Sequence, residues 1–140
     1  MTPRVSPKRP APAAPAPPRP SKPLWLVYLL AWLVPGGGHI WLGRWSKGII
    51  FLVVLPTMFA IGLALEGRLF PFDVSEPLVA LAAVADVWAG LPCFIARALG
   101  LGAGRAVAVT FDYGNAFLIS AGLLNALLVI DAHDIALGRK

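Results

Sequence analysis

The residues with the greatest capacity for chemistry in this chain are a few carboxylates, one amide and a histidine set among apolar segments. Asp86 stands inside the apolar stretch 78–95, and Asp131 and Asp134 are three residues apart, so they share one face of a helix. Carboxylates placed in this way can carry protons, balance an arginine or flank a cation. Asn125 adds an amide to the last apolar stretch. His39, beside three glycines, has the chemistry of a ligand or a proton carrier.

Asp86 and His39 each have a structural interpretation as well. A carboxyl inside a membrane is neutralised by protonation or by an arginine, and Arg44 and Arg97 are the two candidates for Asp86. The functional and structural interpretations of Asp86 carry equal weight. For His39 the structural interpretation is favoured, because a histidine beside a broken helix can hydrogen-bond a carbonyl that the break has freed.

The two later aspartates lie close to the basic carboxyl terminus, where charged side chains reach a membrane interface at small cost. We therefore expect Asp131 and Asp134 to be solvated or ion-paired rather than to bind a cation. His39, Asp131 and His133 are chemically suited to a metal, but their spacing does not require a site, and His133 points away from the face that the aspartates share. No metal site is predicted.

The motifs of the common enzyme classes are missing from the sequence. Ser120 has no glycine-containing nucleophile elbow, and Cys93 follows Pro92 within an apolar stretch. The glycines at 36–38 are not followed by the lysine and the serine or threonine of a phosphate-binding loop. We predict no catalytic residue and no cofactor, and an intramembrane enzyme is the least favoured hypothesis.

The elements that must position these polar groups follow from the composition. The 140 residues are 58% hydrophobic and 14% charged, with a mean hydropathy of +0.75, whereas a soluble domain carries roughly 25% charged residues. An ordinary soluble domain is therefore excluded, and the single cysteine excludes a disulfide framework. The sequence predicts an all-α integral membrane bundle.

Residues 1–23 differ from the rest of the chain. They hold nine of the fourteen prolines and five basic side chains without any acidic one, so we expect a disordered Pro/Ala/basic cytoplasmic tail before a transmembrane domain of residues 24–140. The tail has no aromatic residue to stack on bases. Anionic lipid headgroups, and not nucleic acid, are therefore the expected contact of its charge.

The apolar stretches predict four helical segments, at about 24–43, 47–66, 77–97 and 114–137. The second is uncharged over 48–65 and long enough to cross a bilayer. The third carries Asp86 and must pack against neighbours that shelter the carboxyl. Ser46 and Ser75 are expected to cap the second and third helices, and Gly138 is expected to end the last one.

The first segment is predicted to be broken between Pro35 and His39, since proline and three glycines interrupt it. It either crosses as a kinked helix or enters and returns as a re-entrant pair. In both arrangements the distribution of Lys and Arg places the amino terminus in the cytoplasm. We choose the arrangement with four crossings, in the inner (plasma) membrane of a bacterium.

A turn motif follows the break. It consists of Gly36, Gly38, His39, Trp41, Leu42, Gly43, Arg44 and Gly48. Its spacing resembles the small bacterial two-transmembrane-helix domain family, in which a turn of glycine, histidine, aromatic, leucine, glycine and arginine joins two helices. The resemblance implies membrane insertion and a tight helix pair, without a known catalytic activity. That family's second helix tends to end in an aspartate, for which Asp131 is the nearest match. The longer distance here suggests an uncharacterised group with an inserted hydrophobic hairpin.

These features favour two functions. The first is a non-enzymatic membrane module that packs with itself, as a homo-oligomer, or with a larger membrane complex, because small residues on the helix faces allow close contact. The alternative is a small transporter or proton-conducting component that uses Asp86, His39 and Asp131.

Overall fold

The computed structural model describes residues 22–139, and in this range the chain is all-helical, without a strand. The tail predicted over residues 1–23 lies outside the described residues, apart from its last two positions. The helices are α1 (Leu24–Leu33), α2 (Gly37–Trp41), α3 (Trp45–Ala64), α4 (Pro77–Trp88), α5 (Leu91–Ala98) and α6 (Phe111–Ala136).

The two longest helices form the frame of the fold. The 20 residues of α3 and the 26 residues of α6 extend for about 30 Å and 39 Å, and they run antiparallel. Lys47 at the start of α3 lies 3.8 Å from Asp131 near the end of α6. Gly67, just after α3, packs against Gly114 at the start of α6. We call the first of these places end A and the second end B.

Two helices stop at end A with the same three residues, Leu-Gly-Arg, at 42–44 and 137–139. The glycines, Gly43 and Gly138, have φ of +81° and +70°, a conformation that glycine adopts without strain. In each case the glycine N–H and the following arginine N–H donate to carbonyls of the last helical turn, which is the Schellman arrangement. The prediction that Gly138 ends α6 is confirmed.

The predicted serine caps are wrong. Helix α3 begins at Trp45, so Ser46 already lies inside it, and α4 begins at Pro77; neither helix has a side-chain cap hydrogen bond. The hydroxyl and N–H of Ser75 instead donate to the Asp73 carboxylate. These two hydrogen bonds stabilise the ionised carboxylate and so hold the pKa of Asp73 below its ordinary value, with the larger effect from the hydroxyl.

The first broken pair, α1 and α2, turns back on itself. The ammonium of Lys22, just before α1, contacts the carbonyl oxygen of Trp41 at the end of α2 and lies 5.3 Å from the centre of its ring. Gly38 in α2 packs directly on Ala31 in α1. Both ends of the pair therefore lie at end A, and its tip points into the bundle.

The second broken pair, α4 and α5, bends by 106°. The chain that follows α5 returns to the segment that follows α3: Gly102 accepts a hydrogen bond from the Leu69 N–H at 2.9 Å, and the Arg105 N–H donates to the Glu66 carbonyl at 3.2 Å. Because α3 ends and α6 begins at end B, this pair also starts and finishes there. Its tip is the turn at Gly90, which has φ +72°.

This arrangement corrects the expected number of crossings. Two helices, α3 and α6, are long and apolar enough to cross a membrane, or three spans if the bent α4–α5 pair counts as one. The described helices thus provide two or three possible spans instead of four, and the two ends of each broken pair lie at the same end of the bundle. The predicted all-α bundle with a break in its first segment is confirmed, with the break at Val34–Gly36.

Candidate functional site

The tips of the two broken pairs meet beside Asn125, in the middle of α6. The Asn125 side-chain amide, Nδ2, donates to the carbonyl oxygen of Trp32 and to that of Trp88, each at 2.9 Å. These carbonyls belong to the last turns of α1 and α4, where helical partners are missing. In a continuing helix the Trp88 carbonyl would accept from residue 92, but Pro92 has no N–H. Asn125 supplies the donor that the break removes.

The tips also contact each other directly. The Trp32 indole Nε1–H donates to the Val87 carbonyl at 3.2 Å. A Cβ on Gly90 would lie 2.8 Å from the Leu33 carbonyl oxygen, so only a glycine fits between the two helix ends. Asn125 is fully buried. The junction therefore satisfies backbone groups freed by both helix breaks at a depth where water does not reach them.

A second cluster, at end A, brings His39 and Asp131 together across 92 residues of sequence. His39 is fully buried, and its Nε2–H donates to Asp131 Oδ2 at 2.9 Å. The ring of Phe51 packs edge-on against the imidazole at 5.3 Å. The prediction that His39 bonds a carbonyl freed by the helix break is wrong, because its partner is the Asp131 carboxylate. His39 Nδ1 is buried and has no hydrogen-bond partner among the described residues.

Basic and aromatic groups complete the cluster at end A. Lys47 Nζ lies 3.8 Å from the oxygen of Asp131 that His39 binds. The hydroxyl of Tyr28 shares a hydrogen bond with Nδ1 of His133, and the two rings stack at 5.6 Å. The cluster thus joins α1, α2, α3 and α6, and the carboxylate of Asp131 balances the positive charge beside it.

A third cluster, closer to end B, contains Asp86. Its carboxyl is fully buried, and Oδ2 accepts the Phe70 N–H at 2.8 Å. Arg97 donates from Nη2 to the Phe70 carbonyl at 2.8 Å. The backbone of Phe70 therefore links the Asp86 carboxyl to the Arg97 guanidinium. Asp86 Oδ1 is buried without a partner among the described residues. The expected shelter exists, but no arginine in the described range forms an ion pair with Asp86, and Arg44 is at end A.

The remaining aspartate of the predicted set is separate from these clusters. Asp134 Oδ1 lies 3.5 Å from Arg139 Nη1 at the end of α6. Asp134 and Asp131 are not joined in a common site, and within residues 22–139 no group of three or more His, Cys, Asp or Glu side chains could hold a metal ion.

The glycines of the turn motif hold helices α2 and α3 together. Gly36 and Gly48 face each other, and a Cβ on either one would collide with the backbone of the other segment. The Trp41 carbonyl accepts a hydrogen bond from the Lys22 ammonium, and Leu42 packs on the small apolar cluster of α1 and α6. The motif therefore builds the tight turn that orients His39 toward α6.

Sequence reasoning missed the residues that join the clusters. Phe70 contacts Asp86 and Arg97 through its backbone, so its side chain gave no signal of this role. The break of the third segment at Gly90 did have a signal, because Pro92 follows two residues later and prolines interrupt helices. Trp32 joins the tips through two groups: its carbonyl accepts from Asn125, and its indole donates to Val87. Both contacts depend on how the helices pack, so the sequence alone does not indicate them.

The fold and these clusters define a small all-helical protein with two or three helices that could cross a membrane. In it, polar side chains join broken helices in the interior. The chain belongs to DUF6677, a family of unknown function, which matches residues 26–140. No curated protein and no solved structure matches it.

Proposed function

We propose that the protein is a non-enzymatic, multi-pass module of the bacterial inner membrane that packs with itself or within a larger membrane complex. The observation that carries this proposal is the use of the buried polar groups. Asn125, Asp86 and His39 each bond a different helix or loop, and they lie in three separate clusters instead of converging on one reaction centre.

The exposed surfaces support placement in a bilayer. Large apolar side chains such as Ile50 on α3, and Leu127 and Ile130 on α6, are more than half exposed. Contiguous apolar surface of this kind marks contact with lipid or with another membrane helix. The likeness of the Gly36–Arg44 turn to the two-transmembrane-helix domain family adds to the proposal, since here too the turn leads into an apolar helix long enough to cross.

The charge distribution supports an orientation with end A in the cytoplasm. Chain connectivity assigns three basic residues to end B: Arg68, Arg97 and Arg105. It assigns four described basic residues to end A, Lys22, Arg44, Lys47 and Arg139, and the sequence that flanks this end holds five more: Arg4, Lys8, Arg9, Arg19 and Lys140. An excess of Lys and Arg retains a flank on the cytoplasmic side. Both chain termini are then cytoplasmic.

Cysteine labelling tests this arrangement. In a Cys93→Ala background, we would introduce Ser46→Cys at end A or Val107→Cys at end B; Val107 is 94% exposed. A membrane-impermeant maleimide should label position 107 in intact spheroplasts and position 46 only after lysis. Arg139→Cys, at an exposed position just after α6, should behave like position 46. Labelling of 46 and 139 from opposite sides would show that the α4–α5 pair crosses and would contradict its return to end B.

Assembly is tested at the exposed face of α6. Leu127→Cys in the same background should form a disulfide-linked dimer, or a cross-link to a companion protein, under mild oxidation in native membranes. Cys93 alone is buried and serves as the uncross-linked control. A lone monomer in mild detergent, together with no cross-link at any exposed position of α3 or α6, would count against the module.

A second candidate function is a proton-conducting component. It is favoured by one observation: Asp86 Oδ1 and His39 Nδ1 are buried and have no hydrogen-bond partner within the described range, so each has a free site for a proton. Asp86→Asn should then abolish proton flux in reconstituted vesicles. Unchanged flux would remove Asp86 from the mechanism.

A further inference from the structure

The sharp bend between α4 and α5 opens a groove on the outside of the bundle. Its volume is about 380 Å³, and its walls come from both helices and from the loop before them. The lining is apolar except for one side chain: Phe72, Ala83, Val84, Val87, Trp88, Phe94 and Arg97. A cavity of this size with a single cation suits a long apolar molecule that ends in an anion.

The positions of the lining residues give such a molecule a direction. Trp88 is next to the tip of the pair, at the junction with α1 and α6. Arg97 is near the other end of α5, where its guanidinium bonds the Phe70 carbonyl of the loop that leads back to end B. The charged end of the groove thus faces the membrane surface at end B, and the apolar end reaches the middle of the bundle.

The guanidinium of Arg97 retains capacity for a further partner. Arginine has five N–H donors; the Phe70 carbonyl takes one of them, and the Cys93 thiol is a second partner of the guanidinium. Within the described part of the chain, no carboxylate lies within 4 Å of Arg97. Phosphate and carboxylate groups fit the remaining donors because two parallel N–H bonds match their oxygens.

The groove on the other side of α4 provides a comparison within the same molecule. It has a similar volume, about 350 Å³, and shares Val84 and Trp88 with the first groove, but its lining contains no charged residue. Either groove can hold an acyl chain. Only the groove between α4 and α5 can select for the charge of a headgroup.

We propose that the groove between α4 and α5 is a binding site for an anionic membrane lipid, with one acyl chain against Trp88 and Phe94 and the phosphate of the headgroup on Arg97. This proposal rests on the membrane placement proposed above. A single charge near a membrane surface contributes on the order of 1 kcal/mol, so anionic lipid should bind about fivefold more tightly than neutral lipid.

Quenching of tryptophan by brominated lipids tests the site. The protein is reconstituted in phosphatidylcholine bilayers, and brominated-chain phosphatidylcholine or phosphatidylglycerol is added in steps. Because Trp88 lines both grooves and Phe94 lines only the one between α4 and α5, the reporter is Phe94→Trp in a Trp88→Phe background, and Trp88→Phe alone identifies the share of quenching that comes from position 94. That share should saturate at about fivefold less phosphatidylglycerol than phosphatidylcholine.

Three arginine variants separate the site from general electrostatic attraction. Arg97→Gln should abolish the preference for phosphatidylglycerol, and Arg97→Lys should retain most of it. Arg68→Gln removes an exposed charge at the same end that does not line the groove, so the preference should persist. Circular dichroism verifies the helical fold of each variant.

The outcomes distinguish the two proposals. Equal quenching by both lipids, or an equal loss of preference in Arg97→Gln and Arg68→Gln, overturns the lipid site and leaves the membrane placement intact. If neither lipid quenches any tryptophan, the placement in the bilayer itself fails.

Discussion

Replacing Asn125 by leucine removes a side chain that bonds the backbone at both helix breaks. Leucine has the same branched arrangement of four side-chain heavy atoms as asparagine, but the donor to the Trp32 and Trp88 carbonyls is lost. Asn125 is fully buried at the point where the tips meet, so the two carbonyls are left in an interior where an unmade hydrogen bond is costly. The substitution therefore tests directly whether one amide holds the two broken pairs to α6.

The expected cost follows from the two hydrogen bonds. Hydrogen bonds between membrane helices contribute about 0.6 kcal/mol on average and up to about 1.7 kcal/mol, and an unsatisfied buried carbonyl costs about 1–3 kcal/mol. The apolar leucine side chain offsets part of this loss. We expect the free energy of unfolding to fall by about 2 kcal/mol, which changes the ratio of folded to unfolded protein by about thirtyfold.

Unfolding in mixed detergent micelles, followed by tryptophan fluorescence, measures this change. Asn115→Leu is the matched control: Asn115 accepts a single bond from the Arg68 N–H at 2.8 Å, near end B, where Asn115 is only partly buried. Its loss should cost less than about 1 kcal/mol. Equal stability of the two variants would refute the role assigned to Asn125.

Three further substitutions test other contacts. His39→Phe should lower the unfolding free energy by about 1 kcal/mol, and a double-mutant cycle with Asp131→Asn should show coupling; strictly additive effects would contradict the 2.9 Å bond. Glu66→Gly should be more stable than Glu66→Ala by about 1 kcal/mol, because Glu66 has φ 64°; equal melting temperatures would exclude this strain. Gly122→Ala should cost about 1–3 kcal/mol, since its Cβ would collide with the Ala85 carbonyl; an unchanged unfolding midpoint would show that α4 and α6 can separate freely.

Local sequence signals predicted the helices better than their arrangement. The break near Pro35 and the stop at Gly138 were predicted because proline and glycine act on the residues next to them. The interruption at Gly90 was missed although Pro92 is the same kind of signal, since the apolar stretch around it favours a continuous span. Serine capping at 46 and 75 was wrong because cap preferences are weak against the packing that sets where a helix begins.

The candidate sites depend on contacts between distant parts of the chain. The sequence singled out His39, Asp131 and Asn125 by their polarity, but it assigned them no common role. Nothing local indicates that His39 bonds a carboxylate 92 residues away, or that Asn125 reaches carbonyls of two other helices. These pairings follow from the antiparallel packing of α3 and α6 and from the return of each broken pair to its own end.

The sequence by itself determined the apolar helices, the break in the first segment and the excess of basic residues near the two termini. These properties depend on composition and on neighbouring residues, so a linear pattern is enough to establish them. The tertiary structure decided that the two ends of each broken pair lie at the same end of the bundle, and it decided which buried groups meet. Whether a helix continues across or turns back depends on the donors and surfaces that other helices offer to its end, and only the folded chain brings those together.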